Sequence, residues 1–224
     1  MSSSEVKAFI QHIAPIIRAE ADKRGYKICS TAIAQAIIEG RYGTSSLAKN
    51  WHNHFGMKAG SSWKGKTVNL KTQEEYTPGQ LTDTRANWRV YDDDFSGVSG
   101  YYDFISVKRY ANLKNAKDYR QYAEYLKADG WATSSSYVQT LCDTCKRYEL
   151  WQWDDKEIST DAFYPKCSPN HTSIVQALDE VGADSSKSGR RKIYAVNFSD
   201  PYRYTAKQNM ALLVLLKEGK LIRP

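Results

Sequence analysis

No apolar run in this 224-residue sequence reaches the roughly 20 residues that would carry a helix across a bilayer. Its N-terminus, MSSSEVKAFIQHIAPII, has no basic start, unbroken apolar centre or small-residue cleavage site. The sequence therefore predicts no membrane insertion and no secretory signal. Cysteine is sparse, confined to Cys29, Cys142, Cys145 and Cys167. Cys142 and Cys145 form a C-x-x-C and, with Cys167 and His171, have the donor chemistry of a zinc site. The pair falls in a helical stretch, however, and its would-be partners are distant and loop-borne, which is no familiar zinc spacing. Structural thiols or a disulfide are expected instead. Acidic residues are outnumbered, 25 against 32, which leaves a formal charge of +7. That balance attracts polyanions. The charge is scattered, and neither an RNP sequence nor zinc-finger spacing is present, so nucleic acid is not the expected partner. No feature specifies an oligomeric state.

What is present is enough to build a core: 41% hydrophobic and 12% aromatic residues, on a length that suits one larger domain with a smaller one. The stretch Ser30 to Lys58 organises the rest. Thr31 to Ile38 are small or aliphatic and read as a helix, with Ala32 and Ala36 one turn apart and Glu39 three places later on the same face. A carboxyl group in an apolar surround resists ionising, which suits a general acid working near neutral pH. Gly40 and Gly43 should end the helix. A Glu at a helix end can equally point to solvent, so the helix pattern alone leaves both readings open.

Around this stretch, Phe9, Ile10, Ile13, Ile16 and Ile17 mark a helical stripe interrupted at Pro15, one kinked helix or two abutting ones. His52 and His54 flank Asn53, with no carboxylate or third histidine close in sequence, so no metal is expected there. Ser61 to Tyr91 is rich in strand formers punctuated by Gly65, Pro78 and Gly79, a small antiparallel hairpin. Its adjacent Glu74 and Glu75 must face opposite ways on a strand. Asp92 to Asp94 lack calcium-loop spacing and read as a helix start. Tyr110 to Trp131 and Val138 to Trp153 read as helices. Residues 156–171, polar with Pro165 and Pro169, read as a linker. Beyond it come three short helices, Ile174 to Val181, Arg190 to Val196 and Thr205 to Lys217.

AIAQAIIEGRYGTSSLAKNWHNHFGMK resembles the signature AQAxxESxxGxSxLAxxxxNxFGxK of the cell-wall N-acetylglucosaminidases of glycoside hydrolase family 73. Gln35, Glu39, Gly43, Ser45, Leu47, Ala48, Asn53, Phe55, Gly56 and Lys58 fall in register, and Gly40 departs from it by replacing the usual Ser. WRVYDDDFSGVSGYYDFIS is similar to the family's FRVYxSxxxSxxDYxxFL, and GWATSSSYVQTL to its GYATDPxYAxxL. The resemblance implies a mostly α (α+β) chain, with a lysozyme-like two-lobed catalytic domain and a small β-hairpin lobe over residues 1–155. It implies hydrolysis of the bond between N-acetylglucosamine and N-acetylmuramic acid, with bacterial peptidoglycan glycan strands as partner, Glu39 as general acid, and no cofactor or metal. Aligning Thr72 with the family's T-x-E makes Glu74 the second carboxylate, with Glu75 the alternative. Tyr101, Tyr137, Asn53, Phe55 and Trp131 are the implied substrate contacts. Residues 172–224 resemble the all-α C-terminal modules of lysins and are expected to bind wall, a dimerisation or folding cap being the alternative. Two other readings of the whole chain are a lytic transglycosylase and a catalytically inert wall-glycan-binding or virion-associated protein. Without a signal peptide, the expected setting is synthesis in the cytoplasm and action on the wall, as a phage lysin released by a holin or carried in a virion.

Overall fold

The computed structural model describes residues 2–77, 80–154, 162–198 and 201–224, and the side chains of these apart from 73–77 and 80–82. The chain divides into two compact units, Ile16–Asp155 and, together, Met1–Pro15 with Lys156–Pro224. Helix α1 is Ser3–Lys23, with Pro15 inside it.

The larger unit is helical around α2 (Ser30–Glu39), whose residues Ser30 to Ile37 are all buried. Small and aliphatic side chains on every face make a helix that can be surrounded, and α5 (Tyr119–Ala128), α6 (Tyr137–Arg147) and a 3-10 turn at Leu150–Trp153 all contact it. Leu126, Leu141, Cys142 and Cys145 are among the buried residues of α5 and α6. The stretch expected as one final helix is broken after Arg147, where Glu149 turns left-handed at φ 51°. The tyrosine-rich stretch before it is likewise two pieces, a 3-10 segment Lys108–Asn115 and then α5, whose start Asp118 caps by accepting the Gln121 N–H.

The α2 N-terminus is held from far along the chain. Cys29 offers no side-chain cap; instead Asp154 Oδ1 accepts the N–H groups of Cys29 and Ser30, each at 2.8 Å, and Asp154 Oδ2 accepts the Ser30 hydroxyl at 2.6 Å. A carboxylate at the positive end of a helix dipole replaces the missing local cap.

Strands β1 (Thr67–Thr77) and β2 (Gln80–Arg89) form an antiparallel pair with Thr67 opposite Arg89 and Glu74 opposite Thr82. The base of this hairpin is stitched to the segment that follows α3 (Ser46–Trp51): Arg89 N–H donates to Met57 O at 3.0 Å and Ala59 N–H to Asn87 O at 2.7 Å. Helix α4 (Asp94–Ile105) starts at a capping box between Asp93 and Ser96. The result is a mostly α unit with one small β lobe.

The other unit contains α7 (Ile174–Glu180), α8 (Lys187–Asn197) and α9 (Ala206–Glu218), capped at Thr205 and ended at Gly219 with φ 71°. Leu212, Leu213, Leu216, Ile174, Leu178 and Ile193 form its core. Of the stretch that reads as a linker, the described part packs here. Phe163 bridges to Ile222, the Tyr164 N–H donates to Leu221 O at 2.8 Å, and Tyr164 and Cys167 are buried. Residues at the chain start join the same unit, with His12 Nδ1 2.8 Å from Val196 O. All four cysteines are buried free thiols.

Candidate active site

Glu39 is the last residue of α2 and is half-buried. Gly40 ends the helix in right-handed conformation at φ −78°, and the left-handed turn falls later, at Arg41, Tyr42 and Gly43. Burial pushes the Glu39 carboxyl above its ordinary value, and a hydrogen bond from Tyr137 opposes that rise. The Tyr137 hydroxyl donates to Glu39 Oε1 at 3.2 Å. The other oxygen looks toward Gly56: a Cβ placed on that glycine would sit 3.8 Å from Glu39 Oε2. Gly56 has φ +61°, where a side chain is strained, so glycine permits the turn and puts no Cβ against this oxygen. Gly40 brings the same turn in over the helix end, since a Cβ there would lie 3.1 Å from the His54 carbonyl oxygen. A Cβ there would also lie 2.5 Å from the Ala36 carbonyl oxygen, so the Ser of the resembled pattern would require the backbone to shift.

Behind Glu39 runs a chain of hydrogen bonds. Tyr101 donates to Gln35 Oε1 at 2.6 Å, Gln35 Nε2 donates to the Tyr137 oxygen at 3.0 Å, and Tyr137 donates to Glu39. Gln35 and Tyr101 are fully buried and Tyr137 is 8% exposed. Burial raises the pKa of both tyrosines, and for Tyr137 the neighbouring Glu39 charge adds to it, so both hydroxyls keep their protons.

Several residues expected to touch substrate lie elsewhere. Tyr101 is in the core, stacked on Phe55 at 4.1 Å between centroids, so its ring meets Phe55 where a sugar was expected. Phe55 is correspondingly buried. Asn53 is buried too, its Nδ2 donating to Met57 O at 2.9 Å and Arg89 O at 3.0 Å while its Oδ1 accepts the Met57 N–H. It braces the Gly56 turn against the hairpin base. Trp131 is half-buried, its ring 5.5 Å from Tyr101 and 5.6 Å from Phe104. Of these residues, Tyr137 is hydrogen-bonded to Glu39, as the donor.

Glu74 and Glu75 have their backbones in β1, where the seven steps from Thr67 to Glu74 extend roughly 23 Å from the hairpin base; their side chains lie outside the described residues. His52 and His54 do have a carboxylate near them, contrary to the sequence spacing: Asp94 Oδ1 lies 2.7 Å from His52 Nδ1 and 2.6 Å from His54 Nε2. The Asp94 hydrogen bond raises the His52 pKa against the effect of burial. Among the described residues no group of three or more His, Cys, Asp or Glu is placed to hold a metal ion. His171 pairs with Glu180. Sequence reasoning missed Asp94 and Asp154, which no spacing signals, and took Gln35 only as a motif match.

A family model described as mannosyl-glycoprotein endo-beta-N-acetylglucosaminidase matches residues 14–150. The exo-glucosaminidase LytG of Bacillus subtilis (strain 168) is 30% identical over 132 residues, 56% of this chain and 46% of LytG. The peptidoglycan hydrolase FlgJ of Escherichia coli (strain K12) is 31% identical over 114 residues, 49% of this chain and 36% of FlgJ. The chain thus spans less than half the length of these curated relatives. Among solved structures, a peptidoglycan hydrolase mutant from Sphingomonas sp. A1 superposes with a TM-score of 0.58 at 30% identity, over 66% of this chain and 97% of that one.

Proposed function

The chain belongs to the glucosaminidase family, and from that premise we propose that it is a peptidoglycan hydrolase cleaving the β-1,4 bond between N-acetylglucosamine and N-acetylmuramic acid within glycan strands. The observation that carries this reading is Glu39: a carboxyl at the end of a buried helix, its ionisation opposed by burial, with the side-chain-free Gly56 beside its Oε2. As general acid, Glu39 gives its proton to the glycosidic oxygen while the bond from that oxygen to the anomeric carbon breaks. Water then supplies hydroxide to the anomeric carbon, and its remaining proton goes to a base. Glu74 is proposed as the second carboxylate, with Glu75 the alternative on the opposite strand face, reaching the sugar when the hairpin closes. The carboxyl separation in the closed state sets the stereochemistry, about 5–5.5 Å for retention and 6.5–9.5 Å for inversion. Attack by the substrate's own acetamido group is the other route, and it leaves the hairpin carboxylate a supporting role. Trp131 is the proposed sugar contact. The C-terminal unit is proposed to retain the enzyme on the wall.

The test is digestion of purified peptidoglycan followed by mass spectrometry of the new chain ends. N-acetylglucosamine at the reducing end is expected. N-acetylmuramic acid would make the enzyme a muramidase, an anhydro-sugar end a lytic transglycosylase, and no release an inert binder; each of the three overturns the reading.

A further inference from the structure

A carboxylic acid has two oxygens but carries one proton, and a general acid works only if that proton sits on the oxygen that faces the substrate. The hydrogen bonds behind Glu39 decide which oxygen that is. The contact of 2.6 Å between Tyr101 and Gln35 Oε1 has the length of an O–H···O bond, and the 3.0 Å contact of Gln35 Nε2 with Tyr137 that of an N–H···O bond. These lengths fix the orientation of the Gln35 amide. An amide nitrogen only donates, so the Tyr137 oxygen is the acceptor there. The single Tyr137 proton is therefore directed away from Gln35, and Glu39 Oε1 accepts it at 3.2 Å. With Oε1 occupied as an acceptor, the Glu39 proton belongs on Oε2, the oxygen beside Gly56.

We infer that Gln35 is a positioning residue: anchored by Tyr101, it fixes the Tyr137 hydroxyl as donor to Glu39 Oε1 and so assigns Oε2 as the oxygen that delivers the proton. Gln35 acts through Tyr137 and touches no substrate. Its buried amide is a polar group placed among apolar neighbours at some cost to stability, and the relay accounts for its presence. The catalytic meaning of the inference rests on Glu39 being the acid, but the hydrogen-bond assignment can be tested without substrate.

The test is the titration of the Glu39 carboxyl, followed by NMR on the full chain carrying ¹³C-labelled glutamate and assigned with Glu39→Gln. Tyr137 donates to the ionised carboxylate, so Tyr137→Phe should move the titration to higher pH. Gln35→Met should move it part of the way in the same direction, because the hydroxyl proton is no longer directed. In the Tyr137→Phe background, Gln35→Met should add nothing. The alkaline limb of the peptidoglycan-digestion profile should follow the same order. A titration unchanged by Gln35→Met, or moved equally with and without the Tyr137 hydroxyl, overturns the inference. If Gln35→Met does not fold, the near-isosteric Gln35→Glu repeats the comparison, since a carboxylate accepts where the amide donates and draws the hydroxyl away from Glu39. Again the shift must shrink in the phenylalanine background, and an equal shift overturns the inference. A titration that behaves as expected in a protein that does not cleave peptidoglycan would uphold the relay and reject the proposed function.

Discussion

Replacing Glu39 by Gln should move activity and stability in opposite directions, which separates a working acid from a surface carboxylate. The side chain keeps its size, and its amide oxygen can still accept from Tyr137, whose donor lies 3.2 Å away. Only the transferable proton is lost. General acid catalysis contributes about 10²–10⁴-fold, so peptidoglycan cleavage should fall by that factor. Stability responds through burial. Because burial raises the folded-state pKa above the ordinary 4.5, the unfolded chain loses this proton first as pH rises. Between the two pKa values the folded state holds the extra proton, so folding stability declines with pH across that window and stays lower above it. Each pH unit of displacement corresponds to about 1.4 kcal/mol. Gln avoids this cost. Glu39→Gln should therefore melt above the parent at pH 7 to 8, with the gain vanishing as pH falls below 4.5. Differential scanning fluorimetry over this range, alongside reducing-end release from purified peptidoglycan, makes the comparison. Activity within tenfold of the parent, or a lower melting temperature at neutral pH, would refute the reasoning.

Asp154→Ala removes the remote cap of α2 and leaves two N–H donors without their acceptor; a loss of about 2–4 kcal/mol is expected in urea unfolding. Gly56→Ala puts a side chain at φ +61° beside Glu39 Oε2, so it should cost about 1–2 kcal/mol and depress kcat more than it changes KM, measured by steady-state digestion. Because the Asp94 hydrogen bond raises the His52 pKa above 6.5, its stabilisation is fully present below pH 6.5 and fades as pH climbs through the folded value. The stability advantage of the parent over Asp94→Asn should therefore shrink from pH 6 to pH 8, as read by chemical denaturation.

The residues whose fate was legible in advance are those governed by neighbours three or four places away. Ala32, Ala36 and Glu39 share a face because helical geometry puts them there, and the burial of Ser30 to Ile37 follows from a stretch with little polar surface to expose. Strand formers on both sides of Pro78 and Gly79 announce a hairpin, and Thr205 and Gly219 mark both ends of α9. Tyr101 shows where such reasoning stops. The resemblance sets it among the substrate contacts, but no local pattern says whether its ring meets a groove or Phe55. Residues 162–171 mislead for a related reason: polar composition reads as linker, while burial of Tyr164 and Cys167 depends on what folds back over them.

By itself, then, the amino-acid order determined the helices, the hairpin, the family likeness and the carboxyl group on which the proposed chemistry turns. Tertiary structure decided what surrounds that group. The bonds linking Tyr101 to Gln35, Gln35 to Tyr137 and Tyr137 to Glu39 close over 66, 102 and 98 residues, and the Asp154 cap closes over 125. Spans of that length are settled only when a whole domain packs, because hydrogen-bond direction depends on which distant donor and acceptor the folded core brings within about 3 Å.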